Sequence, residues 1–414
     1  MSISNKIRNF DLGNIFFFIP LLLVTGPFLP DLGLVILSIF GIYLVIKKKV
    51  DYKKYKIFFG LSILLTTLFL ISSLLSNYTL ESLKYPIFYF RYVFFVLAII
   101  YFLQNKKNFL RNFFLSFFFI YSFVLLDALV QFIFLKDLFL IPKPSNLRVT
   151  AMFGDELILG SYISRLFPIY LISIIFINKK YNYPKFINVF LILIAILVVS
   201  ISGERSALFS MFIIFIFCLF FKNFFQMTSL IAIVLSILFL TLLINNNEFI
   251  KQRFYTETKN QITETLQGKH IISKFHHAHY VTAIKISKDN FFFGVGPKSF
   301  RFECNKDKYN IPNACSTHPH NTYIQLLSET GIFSFIIVIS IFIYCFYKIF
   351  KIKLNSEKNE SDDIRFFLYI ALIISLWPFT PSGSFFNNWL NIIYYLPIAF
   401  ILHLDEKNKN FTYL

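Results

Sequence analysis

The stretch STHPHNTYIQLLSETGIFSF, Ser316 to Phe335, holds the residues best suited to chemistry in this 414-residue chain. His318 and His320 flank Pro319, Asn321 follows at once, and Gly331 comes further on, where an apolar run begins. A neutral imidazole takes a proton from an alcohol near neutral pH. Read alone, His320 is better taken as a helix cap or an interfacial residue than as a base. The other reactive type is arginine. Its planar fork of donors matches phosphate oxygens, which the point charge of lysine does not.

What must position these residues is a membrane bundle. The chain is 57% hydrophobic and 15% charged, with mean hydropathy +0.65. A soluble domain is nearer half apolar and a quarter charged. Runs of apolar residues predict twelve spans, at 13–28, 31–46, 57–75, 86–103, 113–135, 157–177, 186–201, 207–221, 228–244, 331–350, 365–380 and 387–403. The net charge of +18 follows from orientation and excludes no membrane reading, since lysines collect on cytoplasmic loops; a nucleic-acid partner is not expected. With the N-terminus inside, the inner segments hold 22 Lys or Arg, and the short outer loops hold five: Lys84, Lys136, Lys143, Arg148 and Arg205. Both termini are then cytoplasmic. The chain divides into residues 1–244 with nine spans, an external segment 245–330, and residues 331–414 with three spans and a tail. The N-terminal apolar run has no small-residue cleavage site and reads as a first span. No internal repeat is visible.

Of nine arginines, Arg8, Arg111 and Arg365 lie inside by this topology, and Arg91, Arg148, Arg165, Arg205, Arg253 and Arg301 lie outside or in outer membrane halves. Enrichment where positive charge is disfavoured points to an anionic ligand there. Arg91, Arg165 and Asp127 fall within the outer halves of their spans, where a charge faces either a ligand cavity or a partner; an ion pair of Asp127 with Arg91 or Arg165 is the structural alternative. The spans starting near 157, 207 and 331 all direct their N-termini outward, where free N–H groups and partial positive charge favour anions.

The external segment opens with a polar stretch. An amphipathic helix ending near Asn290 follows, then the glycine turn GVGPKSF. That turn lacks the spacing of a phosphate loop, and its expected role is close backbone approach. Cys304 and Cys315 lie on the oxidising side, where a disulfide is plausible; Cys218 and Cys345 read as small apolar residues in spans. His270, His276, His277 and His279 follow no common zinc-ligand spacing, so no metal is expected. Pro319 suits the first position of a helix running to Thr330, with His320, Ile324, Leu327 and Gly331 on one face.

These residues carry a family likeness. HNTYIQLLSETGIFS resembles the signature of the O-antigen ligase and O-antigen polymerase superfamily, matching at His320, Asn321 and Gly331 and departing at Ser334. GVGPKSFRFEC is similar to that family's glycine turn, GERSAL (Gly203 to Leu208) to its outward loop with a functional arginine, and LRVTAMFGDELILGSYISRLFP to its arginine-led loop. The resemblance implies an all-α, GT-C-like polytopic membrane protein in the bacterial inner membrane, with its site at the periplasmic face. It implies a metal-independent glycosyltransferase without a cofactor. The donor would be an undecaprenyl-diphosphate-linked glycan, and the acceptor the lipid A core or a second lipid-linked glycan.

By the same likeness His320 would deprotonate the acceptor and Arg205 would hold the diphosphate, with Arg148, Arg165 and Arg253 as further contacts and Asn321, Gly331 and Arg91 in support. The family usually has a second arginine just before the amphipathic helix. Here that place reads FHHAHY, so His276 or His279 would substitute, or Arg253 reach in; Lys298 and Arg301 are further candidates. Ligase is the first reading, polymerase the alternative. A protein O-oligosaccharyltransferase shares the implied fold. A transporter or flippase of an anionic solute or lipid would need basic residues on both sides.

Overall fold

The computed structural model describes residues 12–144, 148–220, 225–270, 273–354 and 360–406. Among these there is no named strand, only one isolated bridge between Lys136 and Pro142. Fourteen helices of ten or more residues carry the architecture. Nine form the first bundle half: α1 (Gly13–Leu22), α2 (Phe28–Ile46), α3 (Lys56–Leu74), α4 (Arg91–Asn105), α5 (Phe109–Phe134), α6 (Leu159–Tyr181), α7 (Lys185–Ile201), α8 (Arg205–Phe220) and α9 (Gln226–Asn246). Two belong to the segment that follows, α10 (Glu257–Leu266) and α11 (Lys274–Asp289). Then come α12 (Thr322–Leu354), α13 (Glu360–Ser375) and α14 (Asn388–Glu406).

Each of the twelve expected spans coincides with one apolar helix. Seven segments are long and apolar enough to cross a membrane by themselves, those containing α2, α3, α4, α5, α6, α9 and α12. The chain is an all-α polytopic membrane protein. α6 forms its axis: the residues from Tyr162 to Ile177 are all buried, and it packs against α5, α7, α8 and α13. α13 joins α12 and α14, and α14 rests on α4 and α2. Stacked rings fill the interior, among them Phe16 on Phe113 and Tyr121 on Tyr170, at centroid distances of 4.6 and 4.2 Å. Aromatic pairs of this kind add to the gain from packing, which lipid-facing leucine alone does not supply.

The two ends of the bundle differ. At one end acidic residues near the close of α14 gather the cations: Lys54, Tyr55 and Gln104 bind Glu406, while Lys348, Arg365 and Tyr369 bind Asp405. At the other end lie the loops before α6 and α8 and the segment after α9. The polar run there is helical, through a π-helical turn Lys251–Thr256 into α10, and α11 is the expected amphipathic helix, packed on α12.

α12 does not begin at Pro319. It begins at Thr322, because Asn321 is its N-cap: the Asn321 Oδ1 accepts from the backbone N–H of Tyr323 and of Ile324 at 3.0 and 3.1 Å. His320 therefore stands outside the helix, with φ +60° in the left-handed region. α12 then breaks at Gly331, which has φ 80° and ψ −178°. A Cβ at Gly331 would lie 2.0 Å from the carbonyl oxygen of Phe292, so only glycine lets the glycine turn dock into the break. Across it Val295 N–H donates to Ser328 O, Gly296 N–H to Glu329 O, and Ile332 N–H to Phe291 O.

Candidate active site

The break in α12 fixes one wall of the site through Glu329, which is fully buried. Its carboxylate accepts from the backbone N–H groups of Lys298 and Phe300 at 2.9 and 3.2 Å, and from Gln325 Nε2 at 2.8 Å. Gln325 in turn accepts from Phe385 N–H. One carboxylate thus ties the glycine turn to α12, and α12 to the loop before α14. Just beyond, Cys304 and Cys315 are joined by a disulfide with Cα atoms 5.3 Å apart, closing the loop that leads to the histidines.

His320 is held in its left-handed conformation by the Ser382 N–H, which donates to the His320 carbonyl at 2.9 Å, and by Asn321 Nδ2, which donates to Pro378 O at 2.7 Å. Such backbone conformations cost energy and persist where surrounding contacts impose them, often at functional sites. The His320 ring is the hub of a cluster. His318, His279 and His276 have ring centroids 4.1, 5.1 and 5.7 Å from it. Ser316 Oγ is hydrogen-bonded to His320 Nε2 at 3.0 Å. His318 Nε2 donates to the Ser382 carbonyl at 3.2 Å, which leaves its Nδ1 to accept from Thr317 Oγ1 at 2.9 Å. That pair of bonds fixes His318 as a neutral ring with its proton committed. His276 Nδ1 pairs with Ser273 Oγ at 2.6 Å, and the Nδ1 of His279 is buried with no partner.

The cluster resists protonation. Burial pushes the His320 pKa down to about 3, and His318, His279 and His276 add to the effect. Burial likewise brings His318 to about 4, with Arg301, His279 and Lys298 lowering it further. His276 is lowered by burial, then by His279 and Arg205. Among the described residues no group of three or more His, Cys, Asp or Glu converges so as to hold a metal ion. His270 and His277 face one another, with rings 5.4 Å apart.

Arg205, whose charge bears on His276, opens α8 and belongs to a trio. Arg253 Nη1 binds Glu257 Oε2 at 2.6 Å, and Arg205 Nη2 lies 3.6 Å from the same oxygen. Arg205 Nη1 also donates to Gln261 Oε1 at 3.0 Å. Arg148 Nη2 and Arg253 Nη2 both donate to the Gly203 carbonyl, at 3.2 and 3.4 Å. Burial lowers the Arg148 pKa, and Arg253 lowers it more, as guanidinium groups crowded together must. The buried Arg253 Nε has no partner. The Glu204 carboxylate receives the Gly160 and Ser161 N–H groups at 2.6 and 3.0 Å and caps α6, while its charge also bears on Arg148. The N-terminus of α6 is therefore already occupied by a carboxylate of the chain itself. Arg205 and Arg253 share the Glu257 carboxylate, and Arg148 stands beside Arg253 at the Gly203 carbonyl.

Below Arg205 runs an apolar groove of about 310 Å³, between Leu208, Phe209, Phe212 and Phe215 of α8 and Ile233, Ile237 and Leu240 of α9. Phe209, Phe212 and Ile237 are exposed on it. A cationic mouth above a lipid-facing groove has the two solvation properties of a phosphorylated lipid.

The remaining expected residues lie elsewhere. Arg165 is buried inside the bundle and donates to Ser375 O at 2.8 Å, capping the end of α13. Arg91 pairs with Asp31 at 3.1 Å and with Asn388 Oδ1 at 2.6 Å. Asp127 pairs with neither; its Oδ1 accepts from the Leu138 N–H at 2.8 Å. Asp31, Glu204, Glu257, Glu329 and Ser382 were not singled out from sequence, since each acts through backbone groups or partners distant in the chain. Glu204 and Glu329 do stand inside the quoted motifs, beside Arg205 and two residues before Gly331.

The fold and site define a polytopic membrane protein with a histidine hub and an arginine cluster at one mouth of the bundle. Residues 189–339 match the family model described as O-antigen ligase. That stretch runs from α7 into α12 and spans a little over a third of the chain; it is what the likeness to the O-antigen ligase and polymerase superfamily rests on. No curated protein matches the chain.

Proposed function

We propose that this chain transfers a glycan from undecaprenyl diphosphate to the lipid A core at the periplasmic face of the bacterial inner membrane. The carrying observation is the arginine trio set between the histidine hub and the apolar groove. The groove takes the polyprenyl tail and Arg148, Arg205 and Arg253 take the diphosphate. In the reaction the acceptor oxygen forms a bond to the anomeric carbon while the bond from that carbon to the phosphate oxygen breaks. The electron pair leaves on the diphosphate and the acceptor proton passes to His320. Guanidinium groups neutralise the leaving charge, so the reading calls for no metal and no cofactor.

A bound diphosphate also remedies a weakness of the free site. A base of pKa about 3 is a poor proton acceptor for an alcohol. Negative charge beside the cluster opposes the cations and raises the imidazole pKa, so donor binding makes His320 basic.

Arg205→Ala is expected to lower transfer by about 10²–10³-fold and His320→Ala by about 10²–10⁴-fold, with the protein still in the membrane. Near-normal transfer in both variants refutes the assignment. Deletion followed by gel analysis of surface glycans separates the acceptors. Free core with accumulated long lipid-linked chains supports ligation, core bearing a single repeat indicates polymerisation, and unaltered glycans with lost solute uptake indicate transport.

A further inference from the structure

A second cavity, of about 330 Å³, opens beside Lys298 and is lined by Lys84, Tyr85, Arg91, Tyr92 and Asn387 among others. Its size is at the small end for ligand sites. Lys298 links it to the histidines. The Lys298 backbone is pinned to Glu329, its ammonium sits 4.2 Å over the Tyr85 ring, and its charge bears on His318. Arg205 acts on the hub through His276 and Lys298 through His318, whose rings lie 5.7 and 4.1 Å from that of His320.

The cations of the cavity are not equivalent. Arg91 is paired with Asp31, and Lys84 with Glu81 at 2.7 Å. The ammonium of Lys298 makes no close ion pair among the described residues: it lies over the Tyr85 ring, and the Glu329 carboxylate acts on it only at longer range. Aromatic rings offer flat apolar surface, the Asn387 amide offers both donor and acceptor, and an unpaired ammonium calls for an anion. That set suits a sugar ring bearing a negative group.

We propose that this cavity is the acceptor subsite, and that Lys298 binds a phosphate or carboxylate carried by the acceptor saccharide. The proposal rests on the glycosyl-transfer reading above. Donor diphosphate and acceptor would then reach the hub by way of different histidines, with His320 placed to take the acceptor proton.

The test is direct binding of lipopolysaccharide core oligosaccharide, phosphorylated and enzymatically dephosphorylated, to the full-length protein in nanodiscs. The wild type is expected to bind the phosphorylated form about tenfold more tightly or better, as loss of a charge-assisted hydrogen bond implies. Lys298→Gln should remove that preference, Lys298→Arg should keep it, and Arg205→Ala should leave it unchanged. Equal binding of the two forms by the wild type, or a preference that survives Lys298→Gln, overturns the proposal. No turnover is needed for this readout. Its failure is therefore distinct from failure of the transfer reading, which would appear as active Arg205→Ala and His320→Ala variants.

Discussion

At the scale of single residues, His320 is set apart by position and charge. It sits in a left-handed backbone conformation one residue before the α12 cap, among three other imidazoles. The pH dependence follows. Burial holds the His320 pKa down at about 3 in the free protein, and under the proposed function a bound diphosphate would place negative charge beside it. The acid limb of kcat/KM reports the free protein and that of kcat the complex. The kcat limb is therefore expected at the higher pH, and coincident limbs would place the titrating base elsewhere. Stability has its own sign. The folded-state values near 4 for His318 and near 3 for His320 lie below the ordinary 6.5, so the unfolded chain takes up protons first as pH falls. The stability they contribute is full above about pH 6.5 and is lost from there toward about pH 4 for His318 and about pH 3 for His320. Thermal midpoints should fall across that window, less steeply in a His318→Ala/His320→Ala variant.

At this scale the sequence was partly legible. The histidine and the arginines could be picked out because their side chains are rare and expensive in such a setting. Their partners could not. Glu257 meets Arg205 only because the turn after α9 folds back over Gly203, and Ser382 meets His320 from beyond α13.

Among the elements, the α12 break and the glycine turn form one unit. The sequence expectation was a continuous helix from Pro319; capping by Asn321 and the docking of Phe292 against Gly331 moved its start and divided it. Periodicity registers neither, since both depend on chain segments that meet only in the fold. Asn321→Ala should cost about 1 kcal/mol, the usual value of an N-cap. Gly331→Ala should cost more, because the added Cβ would fall 2.0 Å from Phe292 O and φ +80° is unfavourable for alanine. Thermal unfolding in detergent measures both, and a Gly331→Ala midpoint at or above that of Asn321→Ala would disprove the docking argument. α10 was also unforeseen: its polar run gave no apolar stripe, and it is held by Arg205 and Arg253 at Glu257.

For the molecule as a whole, the spans were readable because twenty apolar residues in a row leave few alternatives. Gly203–Ser206 and Pro319–Thr322, far apart in the chain, meet at one mouth of the bundle. The disulfide closes the loop before the histidines. Cys304→Ser is expected to destabilise by about 2–4 kcal/mol. A reductant should reproduce that loss in the wild type and leave Cys304→Ser unaffected; an unaltered unfolding midpoint on reduction would show the bridge to be dispensable.

The groove between α8 and α9 presents Phe209, Phe212 and Ile237 sideways to the surrounding lipid. A carrier entering there never leaves the plane of the bilayer. Under the proposed function its encounter rate would be set by its mole fraction among phospholipids, so an inert lipid added in excess would act on this protein as solvent acts on a soluble enzyme.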